Sequence, residues 1–410
     1  MNPFRYISRW FRGLADVFAN ELHTIFHDPG VILFFVVLPL AYPLVYTLIY
    51  NKEVVRQIPV AVIDNSRTAM SRELVRNASA SPTIQIYDYC ANMAEAKRLM
   101  AEQKVYGIME IPSDYARNIG NGETSHVMFY SEMSLLLRYR AFMAALTDLQ
   151  IEMASDINDG RIRSLGAESY LTGDSPLPIA SESNFLGDTE QGFASFVIPG
   201  IVVLILQQSM LLGIGMIAGT SRERRRRNGG IDPHQPDHAP LSATVWGKTL
   251  CYFVFYIAFT IYNLHIVPMI FNLPHFGSPA DYFLFIVPML LAVAFLGQTI
   301  APIMRERESP FVLIVATSVV FLFLSGLTWP RYAMSPLWHS IGNCIPATWG
   351  VEGFVRINTN SATLGENSTP YLWLWGLAAV YMCTAMVSTA YLRRLARRQA
   401  AVAAAPSEES

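Results

Sequence analysis

FASFVIPGIVVLILQQSMLLGIGMIAG, residues 193–219, runs directly into TSRERRRR, residues 220–227. The first run holds no Asp, Glu, Lys or Arg, and the second holds five arginines. About 20 consecutive apolar residues are enough for a helix to cross the hydrocarbon core of a bilayer. A cluster of arginines after such a helix marks the cytoplasmic side. The stretch therefore predicts a membrane span with a cytoplasmic exit.

Five further stretches have the same character: 31–50, 250–271, 282–304, 311–329 and 371–392. Each is free of Asp, Glu, Lys and Arg. Between them, charge crowds into 52–190, 220–248 and the two ends, so that only 15% of the chain is charged and 52% is hydrophobic. Soluble proteins carry about 25% charged residues. The uneven distribution is that of a chain living in two solvents. The fold class expected is an α-helical membrane protein of six transmembrane helices with a mixed α/β domain inserted between the first and second.

Basic residues set the orientation. Arg5, Arg9 and Arg12 precede the first span, and Arg222, Arg224, Arg225, Arg226, Arg227 and Lys248 lie in the loop 220–248. Arg305 and Arg307 follow the fourth span, and Arg393, Arg394, Arg397 and Arg398 follow the sixth. On the other side, 272–281 has no Lys or Arg and 330–370 has Arg331 and Arg356 alone. Both termini are expected in the cytoplasm and residues 51–192 outside it. Thirty residues before the first span are too many for a cleaved signal peptide. Phe4, Ile7, Phe11, Leu14, Phe18, Leu22 and Ile25 recur at helical spacing there, so 1–28 reads as an amphipathic helix in the cytoplasmic interface, stopped by Asp28-Pro29-Gly30.

The outer domain, 51–192, alternates strand-like and helix-like runs. Strands are expected at 58–63, 83–89, 106–111 and 127–130, and helices at 69–80, 92–103, after Ser113-Asp114, and at 134–158. Residues 160–192, rich in Gly, Ser, Pro and acids, read as a loose return to the second span. The domain carries no catalytic constellation: His126 is its only histidine and its acids are scattered at turns and strand ends. The four cysteines (Cys90, Cys251, Cys344 and Cys383) show no metal-like spacing. Cys90 and Cys344 would both lie outside, but nothing in the sequence argues that they pair.

Gly247-Lys248-Thr249 looks like the end of a phosphate-binding loop, but that motif needs a glycine at 242, where Ser242 stands, and a preceding strand. The chain binds no nucleotide on this reading. The spans hold few polar residues: Gln207, Gln208, Ser209, Asn263, His265, Gln298 and Thr299. Each is either a helix–helix bonding group or a contact along a substrate path, the first being the commoner use; Gln207, Gln208, Asn263 and His265 are the path candidates. With no carboxylate inside the membrane, a proton relay through His265 is disfavoured. Residues 330–358 are apolar but broken by Pro330, Pro336 and Pro346, and read as short helices re-entering the outer leaflet, with Trp329, Tyr332, Trp338 and Trp349 as an interface belt.

Four features together resemble a known family. They are the amphipathic helix leading through Asp28-Pro29-Gly30 into a proline-bearing first span (Pro39, Pro43); the strand IPVAVID, 58–64, followed by Asn65-Ser66; the basic loop that begins SRER and closes with Pro240 and Gly247-Lys248; and the broken segment SGLTWP…SPLW…IPATWGVEGFVRI before the last span. The order is similar to that of bacterial type-2 ABC exporter permeases with a large extracytoplasmic domain. The resemblance implies a bacterial inner-membrane exporter subunit that is not itself an enzyme. It implies pairing with a second permease, identical or paralogous, and with ABC ATPase subunits that carry the ATP and Mg. Spans 1, 2 and 5 would lie at the interface between permeases. Glu223, Arg224, Arg225, Pro240 and Lys248 would lie at the ATPase contact. A periplasmic adaptor and membrane lipid are further partners it allows; nucleic acid is not among them. The chain departs from the family pattern at GGIDPHQPDHAP, 229–240, where members have an apolar amphipathic helix. The rival reading is a membrane-anchored sensor or assembly scaffold whose outer domain binds a ligand without transport.

Overall fold

The computed structural model describes residues 3–50, 55–164, 193–229, 232, 239–273 and 275–404. Most of the expected return segment 160–192 and most of the proline-rich stretch 229–240 lie outside the described residues. The chain divides into two bodies, Met1–Asn51 with Leu186–Ser410, and Lys52–Phe185.

The first body is helical. Helix α1, Pro3–His27, is followed by α2, Pro29–Ile49, and after the second body by α3, Phe193–Arg227. Then come α4, Leu241–Ile270, α5, Pro279–Ile303, α6, Phe311–Leu324, α7, Pro336–Asn343, α8, Pro346–Asn360, and α9, Ser368–Ala404. Five of these, α2, α3, α4, α5 and α9, are long and apolar enough to cross a membrane. The stretch expected as a crossing at 311–329 is helical only as the shorter α6, because Gly326 takes φ +90° and turns the chain. The expected loop 220–248 is also narrower. Helix α3 continues through its arginines to Arg227, where cations suit a helix C-terminus, and α4 starts at Leu241 behind Pro240.

Prolines shape the long helices. A proline lacks the N–H and crowds the carbonyl four residues back. Helix α2 widens into a π turn at Ile32–Val37 before Pro39, and α4 does so at Tyr262–Ile266 before Pro268. The core lies around Phe35, Met210, Tyr252, Tyr256 and Phe285, all fully buried. Helix α3 is its axis: 78% of its apolar stretch is buried, against 22% for α2 and for α9. Ahead of α7, Arg331 lies 4.1 Å over the ring of Trp349 of α8 and pairs with Glu352 of the same helix.

The second body is a four-stranded sheet in the order β2-β1-β3-β4, with β1 Ile58–Asp64, β2 Ile84–Tyr89, β3 Gly107–Ile111 and β4 Met128–Ser131. Strand β1 is parallel to both neighbours, and β4 runs antiparallel to β3. Both faces of β1 are covered, which is why it reads as an unbroken apolar run. Val60 and Val62 point to the side packed by Leu74 and Val75 of helix Ala69–Ala80 and by Phe142 and Leu146 of helix Leu136–Ser164. Ala61 and Ile63 point to Ala96 and Leu99 of helix Met93–Ala101. The turn after β1 is closed by Asp64, which accepts from the Ser66 and Arg67 amides at 3.0 and 2.8 Å, and by a capping box between Thr68 and Ser71. Cys90 is buried here and Cys344 is exposed in the helical body; both are free thiols.

Candidate coupling end and membrane path

At one end of the helical body the basic residues gather, and α1 is clamped against the start of α4. The close approach requires Gly247: a Cβ there would stand 2.8 Å from the Leu14 carbonyl oxygen. Trp10 Nε1 donates to Ser242 Oγ at 3.0 Å. Glu21, only 3% exposed, pairs with the Lys248 ammonium and accepts from the Tyr252 hydroxyl at 3.1 Å. Thr249 Oγ1 receives Gln298 Nε2 at 2.7 Å. The triplet that imitates a phosphate loop thus has a packing role at every position.

A second set of bonds joins α1, α2, α3 and the turn after α5. Asp28 caps α2, its Oδ1 accepting from the amides of Gly30 and Val31 at 3.0 and 3.3 Å, and it pairs with the Arg307 guanidinium. Glu223 Oε1 accepts from the Arg307 main-chain N–H at 3.0 Å, and Arg222 Nη1 donates to the Pro302 and Met304 carbonyls at 2.7 and 3.3 Å. Arg224 faces buried Asp232 at 3.4 Å, and Asp232 also accepts from Ser221 Oγ at 2.6 Å. Pro240 precedes α4, and its carbonyl accepts from the Thr244 amide at 3.0 Å. Of the five expected coupling residues, Arg224, Arg225 and Lys248 line one cavity, Glu223 instead bonds the Arg307 main chain, and Pro240 sits beside Gly13 of α1. Glu21, Asp28 as an ion-pair partner, and the bonds of Arg222 and Arg307 are not signalled by the sequence, because their partners are remote in the chain.

The polar residues of the spans divide by their bonds. Pro39 leaves the Phe35 carbonyl without its helical donor, and Pro43 does the same to Pro39. Tyr256 hydroxyl donates to the Phe35 oxygen at 3.4 Å and Asn263 Nδ2 to the Pro39 oxygen at 2.8 Å. In lipid such orphaned carbonyls must be met by a neighbouring helix. The prolines of the first span signal that two carbonyls need donors from elsewhere, but not which residues supply them. Gln207 Oε1 accepts from the Ala347 amide at 2.8 Å and so caps α8. His265 bonds His275 at 3.1 Å, and His275 Nδ1 and Tyr282 both bond Asn358 Oδ1, at 3.2 and 2.9 Å. Burial holds the His275 imidazole below the usual histidine range. Gln208 differs from the other three: both its amide atoms are buried with no partner among the described residues.

The family model of ABC-2 family transporter proteins matches residues 29–387, from the first residue of α2 to within α9. The chain belongs to that family. Among curated proteins it is similar to the linearmycin resistance permease protein LnrN of Bacillus subtilis (strain 168), 22% identical over 370 residues, which are 84% of this chain and 91% of that one. As an ABC-2 permease, the chain is a multi-pass membrane subunit of an ABC exporter, and the ATPase activity resides on a partner subunit. A permease of this family carries no bound cofactor, and the described residues hold no group of three His, Cys, Asp or Glu suited to a metal. The ABC-2 match takes in Gln207, Gln208, Glu223, Arg224, Arg225, Pro240, Lys248, Asn263 and His265.

Proposed function

We propose that two such permeases, identical or paralogous, form the export path in a bacterial cytoplasmic membrane, with the ATPase subunits docked on the basic end. Under this reading both termini are cytoplasmic, 1–28 lies in the inner interface, 51–192 is outside, and 393–410 is the cytoplasmic tail. The positions of the arginines support that orientation. Helix α6 with the residues to 329 makes the fifth of six crossings, and α7 and α8 dip into the outer leaflet. Exposed Val312, Val315, Val319 and Phe323 on α6, with Leu33, Val37, Leu48 and Ile49 on α2, suit lipid or a second permease rather than water.

The observation that carries the proposal is the bonded block of Asp28, Arg222, Glu223 and Arg307. It joins the exposed basic end to the first turn of α2 and the last turns of α3. An ATPase that binds nucleotide differently in two states can bias the two helices only through such a connection. Glu223, Arg224 and Arg225 then meet the ATPase, with Pro240 and Lys248 at the edge. In the membrane, Gln208 contacts cargo or the second permease, while Gln207, Asn263 and His265 hold the walls of the path in shape. The resistance role named for LnrN supports a harmful small molecule as cargo. A periplasmic adaptor would meet the outer body.

The test is site-directed crosslinking. Arg225→Cys, in a chain whose four native cysteines are serine, is expected to crosslink to the partner ATPase and to be labelled from the cytoplasm alone; Tyr332→Cys is expected to be labelled from outside and to crosslink to no ATPase. The reverse pattern of labelling would overturn the orientation, and no ATPase adduct at Arg225 would overturn the docking site.

A further inference from the structure

At the basic end, α2 and α6 start side by side and in step. Asp28 caps α2 and pairs with Arg307, which precedes α6. One turn beyond Asp28, α2 opens into its π turn, Ile32–Val37, and one turn beyond Arg307, α6 opens into another, Phe311–Val315. The two π turns touch, the rings of Phe34 and Phe311 meeting edge to face at 4.7 Å. Both rest on the same turn of α3. Phe35 fills the space that a Cβ of Gly213 would need, and the Pro310 ring lies 3.0 Å from where a Cβ of Gly215 would stand. Helices bend sharply at π turns and prolines, and interior glycines weaken them. Three neighbouring helices therefore have the weak part of their hydrogen-bond ladders at one level.

Below this level polar bonds knit a single block. Arg307 holds Asp28 with its guanidinium and Glu223 with its main-chain N–H, Arg222 holds the Pro302 and Met304 carbonyls, and Gly219 lies directly on the Glu306 carbonyl. Above it, other bonds hold the same helices to the rest of the body: Asn263 to the Pro39 carbonyl, and Gln207 to the Ala347 amide. The contacts between the two sets are rings on glycine and ring on ring, which shift without stranding a polar group. The Tyr256 hydroxyl reaches the Phe35 carbonyl at 3.4 Å but has Ser209 Oγ closer, at 3.0 Å, so it keeps a partner if Phe35 moves. Beside them α4 is unbroken α-helix from Leu241 to Ile261, and α9 from Ser368 to Ala404. Asp28 itself is extended, with φ −105° and ψ 107°, so the corner there can turn while α1 stays clamped on α4.

We propose that this level is a hinge. The block at the basic end tilts as one piece, α2 and α6 bend at their π turns, α3 bends at Gly213 and Gly215, and α4 and α9 stand as a fixed wall. From Gly215 to Arg227 the arm is about 18 Å long at 1.5 Å per residue, and a bend of about 20° swings its end by about 6 Å. That swing is what would pass between a partner ATPase and the membrane path, and in that role the hinge rests on the reading given above. The hinge itself is a property of the permease alone.

The experiment uses the full-length chain alone in phosphatidylcholine nanodiscs, with its four native cysteines replaced by serine and spin labels on pairs of introduced cysteines. Arg226→Cys and Glu306→Cys, exposed on two different segments of the block, are each paired with Val380→Cys on the wall. Val254→Cys with Val380→Cys reads the wall against itself. Pulsed dipolar distances from block to wall should be spread wider than the wall pair by about 3–6 Å. The spread should be alike from both block positions, which fraying of the last turn of α3 would not produce. Pro39→Ala returns a donor to the Phe35 carbonyl. It should narrow both block distances and raise the melting temperature, a pairing that a merely structural role for the proline does not give. Block distances as narrow as the wall pair, a spread at one block position alone, or a spread that Pro39→Ala leaves unchanged would each overturn the hinge. Distances unmoved on adding the partner ATPase and nucleotide would overturn the block as its docking site and leave the hinge standing.

Discussion

The sheet body and the helical body satisfy the same chemistry by opposite means. In the sheet body, apolar side chains such as Val60, Val62, Met109 and Phe142 are inside, and the acids and bases are mostly at the surface. Its side-chain polar bonds are mostly short-range in sequence, as in the Asp64 turn and the Thr68–Ser71 capping box. In the helical body, apolar residues lie both inside and outside, so hydrophobicity does not tell the two apart. Lipid gives no hydrophobic drive to bring helices together, and packing and buried polar bonds must do it. Those bonds are long-range: Glu21 with Lys248 and Tyr252, Asp28 with Arg307, Asn263 with the Pro39 carbonyl, Gln207 with the Ala347 amide.

The contrast can be broken at defined places. The largest effect is expected in the sheet body, where Phe142 packs onto Gly107 so closely that a Cβ on that glycine would lie 2.7 Å from the ring. Phe142→Ala should cost about 3–5 kcal/mol. Hydrogen exchange on the full chain should show the strands opening while the helical body keeps its protection. In the helical body, removal of one charge should matter more than removal of apolar volume. Glu21→Ala leaves Lys248 nearly buried and unpaired, and should cost roughly 2–4 kcal/mol. Glu21→Gln combined with Lys248→Met should recover most of that loss in a melting curve, since no charge is then stranded.

A smaller effect is expected at the proline kink. Asn263→Leu leaves the Pro39 carbonyl without a donor, for about 1–2 kcal/mol, and should loosen α2 without disturbing α1. The smallest effect concerns pH. The folded state holds His275 below its ordinary range through burial, with His265 and Tyr282 facing it. Its contribution to stability is therefore complete above the unfolded value of about 6.5 and is lost as pH falls through the lowered folded value. Hydrogen exchange in 272–278 should rise on acidification, and His275→Asn should flatten that dependence.

These differences also explain what was legible in the sequence. The strands at 58–64, 84–89, 107–111 and 128–131 fall within about a residue or two of where alternation and turn residues put them, because each is set by its own neighbours. The long spans were legible because lipid demands length and the absence of charge. Helix α1 shows where that reasoning stops. The apolar stripe expected at the membrane interface includes Ile7 and Phe11, which are 51% and 60% exposed, but also Ile25, which is fully buried among the other helices, and Glu21 is buried beside it. A periodicity cannot tell a face that meets lipid from one that meets a helix. Likewise Arg222 and Arg307 read as topology signals, and their bonds to backbone and to Asp28 depend on segments far apart in the chain. The coupling residues were placed by resemblance, and Gln208 stands out among the path residues only once the bonds of Gln207, Asn263 and His265 are known.

The central claim is that the basic end of this ABC-2 permease is where a separate ATPase delivers its work. The most direct measurement is purification of the tagged chain in mild detergent, after crosslinking in cells, with mass spectrometry of what accompanies it. The account predicts a stoichiometric protein carrying a P-loop, recovered with the wild type and lost when Arg224 and Arg225 are both alanine in a chain that still inserts. Recovery of the permease with no ATPase, or undiminished recovery of the ATPase with the double variant, would contradict it.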